Sequence, residues 1–173
     1  MRSAFAVSGA MRVLPAEGSR PAVWSAAAAV LIADQVSKAL ALASQSDTAA
    51  HPDGGWLSVR LVRNTGASFG VGSGHPLIVT LMALIIVAAA ALVLRRTRRQ
   101  AAAVAWAVVL GGAVGNLADR LFRSPGPGRG AVVDWIHVAG YPPSFNLADL
   151  AIRGGVAAAL VSLGLSARRP GRG

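Results

Sequence analysis

The 173-residue sequence contains no cysteine, which excludes disulfides, thiolate nucleophiles, iron–sulfur clusters and cysteine-based zinc sites. Its three histidines, His51, His75 and His137, lie far apart and no H-E-x-x-H motif occurs, so we expect neither a metal nor another cofactor. Charged residues make up only 14% of the chain, against about 25% in ordinary soluble domains. That is too little charge to cover a water-exposed surface. Because 54% of the residues are hydrophobic, disorder is excluded as well, and the composition predicts a membrane protein.

Acidic residues are also scarce: 7 Asp and Glu stand against 17 Arg and Lys, which gives a net charge of +10. In a soluble protein such an excess indicates nucleic-acid binding. Here the basic residues cluster outside the apolar runs, as they do beside membrane spans. No nucleic-acid-binding motif occurs, so we expect no nucleic-acid partner.

Four apolar stretches reach the roughly 20 residues that a bilayer-spanning helix needs. They cover residues 22–44, 76–94, 101–121 and 146–165. The sequence therefore predicts an all-α bundle of four transmembrane helices in a single domain over 22–165. Basic tails at 1–21 and 166–173 flank this domain.

The distribution of Arg and Lys predicts the orientation of the spans. Ten of these residues flank one side of the predicted bundle and five flank the other, while Lys38 and Arg153 lie within spans. The side richer in Arg and Lys is normally cytoplasmic. We therefore expect both termini and the Arg-rich loop 95–99 in the cytoplasm, with segments 45–75 and 122–145 facing outward.

The first span has an alternative interpretation as a cleavable signal peptide. Residues 23–33 form an apolar run behind a basic tail, and Ala39-Leu40-Ala41 resembles a cleavage site. Cleavage there would leave three spans and an outward N-terminus. Asp34 and Lys38 favour a retained span, because they interrupt the apolar run before the small residues.

The first outward segment contains a strand-like pattern. Leu57, Val59 and Leu61 alternate with more polar residues over 57–62, which is typical of a strand with one apolar face. Trp56 precedes this run, and Trp at a span boundary suits the bilayer interface. The second outward segment contains the turn-rich run Ser124-Pro125-Gly126-Pro127-Gly128.

Ionisable side chains in or beside membrane spans are functional candidates, because placing them there is energetically costly. Glu17, Asp47 and Asp53 fall in polar segments, and we expect them to be solvated. The other four acids all lie toward the outward half of the predicted bundle: Asp34, Asp119, Asp134 and Asp149. Their convergence is the main functional clue in the sequence.

Two helical spacings place polar side chains together. Asp34 and Lys38 are four residues apart and can form a structural ion pair or take part directly in chemistry. Asn116, Asp119 and Arg120 have helical spacing at the outer end of the third span. That cluster can cap the span at the interface or bind the polar backbone of a peptide.

Asp134 lies in the apolar setting Val132-Val133-Asp134-Trp135-Ile136, in the outward loop, and Asp149 begins the fourth span. Two carboxylates brought together in a low-dielectric site share one proton, because both cannot ionise cheaply. Such a pair can polarise a carbonyl with its acid and activate water with its base, which is aspartic-protease chemistry. Helix capping or salt bridging is the structural alternative for each Asp.

Five sequence blocks, in order on four spans, resemble the bacterial lipoprotein signal peptidases (signal peptidase II). The blocks are Asp34-Gln35-Val36-Ser37-Lys38, Asn64-Thr65-Gly66-Ala67-Ser68-Phe69, Gly112-Ala113-Val114-Gly115-Asn116-Leu117-Ala118-Asp119-Arg120, Val132-Val133-Asp134-Trp135-Ile136 and Phe145-Asn146-Leu147-Ala148-Asp149. The departures are modest: Trp135 stands where Phe is usual in that family, and Leu150 where Ser is common.

The resemblance implies an intramembrane aspartyl endopeptidase that removes signal peptides from diacylglyceryl-modified prolipoproteins, cutting before the lipidated Cys. It implies Asp134 and Asp149 as the catalytic pair and a first-span structural pair of Asp34 and Lys38. Active-site support or substrate binding is implied for Asn64, Gly66, Asn116, Asp119, Arg120 and Asn146. It further implies a small outward β-cradle, contact with membrane lipid, and a multi-pass place in the bacterial plasma membrane with the active site near the outer leaflet. We expect a monomer.

Two other functions remain open from the residues. A serine hydrolase would use Ser37 or Ser73, although Ser37 and Lys38 are adjacent on a helix and do not face each other. A small transporter would use the buried polar residues as an ion path. Transporters place such residues near the midplane and often carry internal repeats, whereas here they collect toward one side without a repeat.

Overall fold

A computed structural model describes residues 20–44, 56–67 and 70–167. Its helices are α1 (Pro21–Ser44), α2 (Pro76–Arg96), α3 (Gln100–Phe122) and α4 (Leu147–Ala167). All four are long and apolar enough to cross a membrane, which confirms the expected four-helix membrane architecture. Most of both basic tails and the acids expected to be solvated, Glu17, Asp47 and Asp53, lie outside the described residues, as do Ser68 and Phe69.

Helix α3 is the centre of the bundle, and α1, α2 and α4 pack around it. In the most apolar part of α3, 56% of the residues are buried, against 17%, 22% and 17% in α1, α2 and α4. The large apolar side chains of the outer helices are exposed, as a lipid-facing surface requires. The chain thus fits a multi-pass membrane protein.

Small residues let the outer helices approach α3 closely, because little side-chain volume separates the backbones. The core-facing side of α3 consists largely of Ala and Gly. At Gly112, a Cβ atom would lie 2.7 Å from the carbonyl oxygen of Ala148 at the start of α4. This contact brings the first turn of α4 against α3, and Asp149 belongs to that turn.

A three-stranded antiparallel sheet in the order β1-β2-β3 lies at one end of the bundle. The strands are β1 (Leu57–Asn64), β2 (Val132–Val138) and β3 (Tyr141–Phe145). Between Val59 and Val62 the register shifts by one residue, which is a bulge in β1, and Val62 then pairs with Asp134. The expected strand at 57–62 is therefore present and extends to residue 64.

The expectation of a loop around Asp134 is wrong, because residues 132–138 form the central strand of the sheet. The first three residues of β2 are buried, and the strand is paired on both sides. The sequence of a buried central strand is nearly continuously apolar, without alternation of apolar and polar residues. Its periodicity therefore does not identify it as a strand. A central strand holds its backbone by hydrogen bonds on both edges, which gives Asp134 a fixed position.

Candidate active site

Asp134 is buried, and both of its carboxylate oxygens accept hydrogen bonds from side-chain amides. Asn64 Nδ2 donates to Oδ2 at 3.1 Å, and Asn146 Nδ2 donates to Oδ1 at 2.6 Å. Asn64 comes from the end of β1, and Asn146 immediately precedes α4. Asp134 therefore sits where the sheet meets the start of the fourth helix.

Asp149 lies in the first turn of α4 and forms a reciprocal cap with Asn146. The Asp149 N–H donates to Asn146 Oδ1 at 3.0 Å, and the Asn146 N–H donates to Asp149 Oδ2 at 3.3 Å. This is the geometry of a capping box, in which the first and fourth residues satisfy each other's backbone. The second carboxylate oxygen, Oδ1, accepts from Asn116 Nδ2 at 3.0 Å. Asp149 thus caps α4 and is at the same time a member of the candidate pair.

Asn146 joins the two carboxylates through one fully buried amide group. Its Nδ2 donates to Asp134 and also to Asn116 Oδ1, at 3.2 Å, while its Oδ1 accepts from Asp149. Because every polar atom of this amide is used, its orientation is fixed. The sequence-predicted pair of Asp134 and Asp149 is therefore held around a single rigid side chain.

Lys38 is the centre of a second polar group, in which Lys38, Asp34 and Asp119 are fully buried. Its Nζ atom lies 2.8 Å from both Asp34 Oδ2 and Asp119 Oδ2 and donates to Asn116 Oδ1 at 2.9 Å. Two negative carboxylates and one shared amide thus satisfy all three ammonium protons. The pairing expected of Asp34 and Lys38 is present, and it extends to Asp119.

The same two carboxylates hold the backbone beside each member of the candidate pair. Asp34 Oδ1 accepts from the N–H of Ala148 at 3.0 Å, and Asp119 Oδ2 accepts from the N–H of Val133 at 3.2 Å. Ala148 precedes Asp149, and Val133 precedes Asp134. Lys38 therefore links the two backbone segments that carry the pair.

Gln35 and Arg123 also take part in this group, although the sequence interpretation did not single them out. Arg123 Nε lies 2.6 Å from Asp119 Oδ1, and Gln35 Nε2 donates to Asp34 Oδ2 and Asp119 Oδ1, each at 3.2 Å. The four-residue spacing of Asp119 and Arg123 is a signal that could have identified Arg123. Gln35 follows Asp34 directly, and adjacent side chains on a helix do not face each other. Their spacing therefore predicts no contact between these two side chains.

Asn116, Asp119 and Arg120 do not act as one cluster at the end of α3. Asn116 and Asp119 meet through Lys38, whereas Arg120 donates to the carbonyl oxygens of Gly66 and Thr65, at 2.5 and 3.5 Å. Arg120 thereby holds the turn after β1 against α3.

The turn after β1 places the amide of Asn64. The N–H of Gly66 donates to Asn64 Oδ1 at 2.9 Å, and Asn64 Nδ2 on the other side of the amide faces Asp134. Arg120 is bound to the carbonyl of Gly66, so it supports this arrangement from the other side. Among the sequence-predicted site residues, Asn64, Gly66 and Arg120 thus form one unit beside Asp134.

Gly115 sits against the buried ion group, and this contact leads to a stability prediction. A Cβ atom at Gly115 would lie 2.5 Å from Asp34 Oδ2, the oxygen that binds Lys38. We expect Gly115→Ala to displace that carboxylate and to lower the free energy of unfolding by about 1–3 kcal/mol. Gly154→Ala is the matched control, because a Cβ atom there meets nothing within 4 Å. Thermal unfolding in detergent measures the stability of both variants. Equal melting temperatures of Gly115→Ala and Gly154→Ala would contradict the close approach of Gly115 to Asp34.

Burial and the negative charge of Asp149 raise the pKa of Asp134 from 3.8 to about 6, against the opposing effect of the Asn64 and Asn146 donors. Desolvation disfavours the charged form of a carboxyl, and a neighbouring carboxylate disfavours it further. At moderately acidic pH Asp134 therefore keeps a proton that a solvated carboxyl would have lost. A carboxyl that stays protonated in this range can act as a general acid.

The raised pKa of Asp134 predicts a pH-dependent stability. The folded protein binds the Asp134 proton more tightly than the unfolded chain, so this group favours folding below about pH 4 and loses that effect as pH rises through 6. The whole difference corresponds to roughly 3 kcal/mol. We expect the melting temperature of the wild type, relative to Asp134→Asn, to fall between pH 4 and pH 7 in detergent. If the melting temperatures of the wild type and Asp134→Asn change in parallel across this pH range, the pKa of Asp134 is not raised in the folded protein.

The serine candidates do not form a nucleophile–base pair among the described residues. Ser37 Oγ donates to the carbonyl oxygen of Asp34 at 2.8 Å in its own helix, and Lys38 is bound to other partners. For Ser73, the hydrogen bonds found are made by its backbone. Within the same residues, no three His, Asp or Glu side chains are grouped so that they could hold a metal ion.

Known proteins with similar sequences point to one family. Residues 26–165 match the family model described as signal peptidase (SPase) II. The chain is 41% identical over 132 residues to a lipoprotein signal peptidase of Mycobacterium avium, covering 76% of this chain and 72% of that protein. It is 41% identical over 156 residues to the lipoprotein signal peptidase of Mycolicibacterium smegmatis, covering 84% of this chain and 65% of that one. For the Streptomyces griseus protein of the same name, the match spans half of its length.

Solved structures of bacterial membrane enzymes share the fold of this chain. A bacterial membrane enzyme determined by the in meso method at 2.3 Å resolution superposes with a TM-score of 0.69 and 26% identity, covering 87% of this chain and 92% of that one. A second such structure, at 1.9 Å resolution, gives a TM-score of 0.64 and 28% identity over 82% of this chain and 91% of the other. The family resemblance found in the five sequence blocks is confirmed: this chain belongs to the signal peptidase II family.

Proposed function

We propose that this chain is an intramembrane aspartyl endopeptidase that removes signal peptides from diacylglyceryl-modified prolipoproteins and cuts immediately before the lipidated Cys. Membership of a signal peptidase family supports the peptidase activity. The observation that carries the aspartyl mechanism is the arrangement of Asp149 and the buried Asp134 around the buried side chain of Asn146.

In the proposed reaction, Asp134 is the acid and Asp149 is the base. Asp149 takes a proton from water as the water oxygen attacks the scissile carbonyl carbon, and Asp134 gives its proton to the carbonyl oxygen. The tetrahedral product then collapses: the C–N bond breaks, the leaving amine takes the proton from Asp149, and Asp134 regains one from a hydroxyl group. The raised pKa of Asp134 supports its role as the acid. No covalent intermediate with the enzyme forms.

The remaining residues hold this pair in place in our proposal. Asn64 and Asn146 position Asp134, Asn116 and Asn146 position Asp149, and the group around Lys38 fixes both backbones. Asp34, Asp119, Gly66 and Arg120 are supporting residues, with no direct part in bond breaking. Catalysis by the proposed pair calls for no metal or other cofactor.

We further propose that the sheet and the carboxylate pair face outward, near the outer leaflet of a bacterial plasma membrane. Arg95 and Arg96 end α2, and Arg98 and Arg99 lie in the short loop before α3; an excess of Arg marks the cytoplasmic side. Both termini then lie in the cytoplasm, flanking the four-span domain 22–165. A lipid-anchored substrate diffuses in the bilayer and reaches this site laterally. We propose that the enzyme acts as a monomer, surrounded by membrane lipid and without a nucleic-acid partner.

Comparing two forms of one substrate tests the proposed function. Purified protein in detergent is mixed with a prolipoprotein that carries the diacylglyceryl group and with the same prolipoprotein lacking it. We expect cleavage of the lipidated form, and at most about 1% of that rate with the unmodified form, since lipid burial contributes strongly to binding. Equal rates would contradict the proposed substrate class. Failure to cleave either form, with an active relative as control, would contradict the peptidase proposal and favour the transporter alternative.

A further inference from the structure

Arg153 is a charged residue within membrane helix α4 for which the site described above gives no function. It is exposed, and no hydrogen bond or ion pair joins it to any residue in the described part of the chain. An unpaired Arg in a membrane span is costly and is rare without a function. Lys38, the other basic residue within a span, is by contrast buried and has three partners.

The position of Arg153 relates it to the carboxylate pair. Asp149 and Arg153 are four residues apart, so they lie on the same side of α4, about 6 Å apart along its axis. The helix surface that packs against α3 is a different one and contains the buried residues Ala148, Gly155 and Ala159. Arg153 therefore lies about one helical turn farther along α4 than Asp149, toward the middle of the membrane span. It is on the same side of the helix as Asp149.

A signal peptide cleaved at this site presents main-chain carbonyl groups at the same depth. The residues before the scissile bond come from the membrane interior, and an extended chain advances about 3.3 Å per residue. A separation of about 6 Å corresponds to two residues before the bond. Where the helical part of the signal peptide ends, up to four carbonyl groups have no partner within the helix. In hydrocarbon such groups must find a donor in the protein.

We propose that Arg153 is a substrate-binding residue whose guanidinium group donates hydrogen bonds to main-chain carbonyls of the signal peptide just before the scissile bond. This inference rests on the proposed function. A guanidinium group offers five N–H donors and no acceptor, which matches a row of unpaired carbonyl oxygens. The enzyme's unpaired donor and the substrate's unpaired acceptors are then both satisfied in the complex. Since carbonyls are present whatever the side chains are, this contact is independent of the signal-peptide sequence.

The contact is tested by the kinetics of Arg153→Gln in nanodiscs made only of zwitterionic lipid, with the lipidated prolipoprotein as substrate. We expect kcat/KM to fall about tenfold or more, with most of the change in KM, because a hydrogen bond to a charged group is lost equally in the ground and transition states. Arg153→Lys should retain part of the activity. Arg60→Gln is the matched control, since Arg60 is an exposed Arg on β1, outside the helix that carries Asp149 and Arg153. Melting temperatures of all variants should equal that of the wild type.

A second substrate separates the carbonyl contact from other roles of Arg153. Replacing the amide bond two residues before the scissile bond by an ester weakens that carbonyl as an acceptor. The ester should lower kcat/KM for the wild type and have a smaller effect on Arg153→Gln. The pH profile should be the same in both enzymes, because Arg153 does not act through the charge of Asp149.

Several results would overturn the inference while leaving the proposed function intact. One is kcat/KM of Arg153→Gln within twofold of the wild type. Another is a loss that appears only when anionic lipid is added, which would assign Arg153 to a phospholipid phosphate. A shifted pH profile would assign it to Asp149. By contrast, absence of cleavage by the wild type would count against the proposed function itself.

Discussion

Asp134→Asn and Asp149→Asn should each reduce cleavage of a lipidated prolipoprotein by at least about 1000-fold. In the proposed mechanism, removing Asp134 eliminates the group that protonates the carbonyl oxygen, and removing Asp149 eliminates the base that activates water. A positioned acid or base contributes about 10²–10⁴-fold. Asn keeps the size of each side chain and its carbonyl acceptor. The bonds from Asn64 and Asn146 that depend on that acceptor are therefore partly preserved. The measurement is the initial rate in detergent.

The controls for this experiment separate chemistry from folding. Each variant should retain the helical circular-dichroism signal and a cooperative melting transition. Asp53→Asn is the matched control, because the sequence predicts a solvated carboxyl there. Asp119→Asn tests the nearest alternative acid, and we expect reduced stability with measurable residual activity, since Asp119 binds the backbone of Val133. Full activity in either Asp134→Asn or Asp149→Asn would disprove the assignment and make Asp119 the next candidate.

Lys38→Met should destabilise the fold by about 3–5 kcal/mol. Removing one partner of a buried ion group leaves the opposite charge uncompensated in a low-dielectric interior. Lys38 faces two carboxylates, Asp34 and Asp119, and all three side chains are fully buried. We therefore expect a large drop in melting temperature and poor recovery of folded protein from the membrane.

The double variant Asp34→Asn/Lys38→Met tests the electrostatic explanation directly. It removes one negative charge together with the positive one, and Asn can still accept from the N–H of Ala148. We expect it to be more stable than Lys38→Met, although it has lost more native groups. If the double variant is less stable than the single one, packing or hydrogen bonding rather than uncompensated charge explains the loss.

The helices and the acids of the site could be predicted from the sequence because each has a local signal. Hydropathy identifies spans of about 20 residues, and the structure has helices at all four positions. Four acids placed toward the same side of the predicted bundle indicate a shared polar site. The structure links them all, through Lys38 for Asp34 and Asp119 and through Asn146 for Asp134 and Asp149. The family of the chain could be found because short motifs occurred in the right order.

The contacts between distant segments could not be predicted. Strand β2 gave no alternation because it is central and nearly fully apolar, and β3 contains two prolines. Asp119 and Arg120 are adjacent in sequence but have different partners. Asp119 binds Lys38 of α1, and Arg120 binds the carbonyl of Gly66 in the turn after β1, so both contacts depend on how α3 is oriented toward these segments. The role of Asn146 as a bridge depends on a sheet and a helix meeting at one residue, which no local pattern encodes.

The products of one cleavage reaction in water enriched in oxygen-18 test the central claim most directly. Intact-mass measurement is applied to both products and to the enzyme. We predict one product that begins with the lipidated Cys, one signal peptide with a single heavy oxygen in its new carboxyl group, and an enzyme of unchanged mass throughout. A cut at any other bond, or an enzyme that carries the signal peptide as a covalent adduct, would contradict direct attack by water between Asp134 and Asp149.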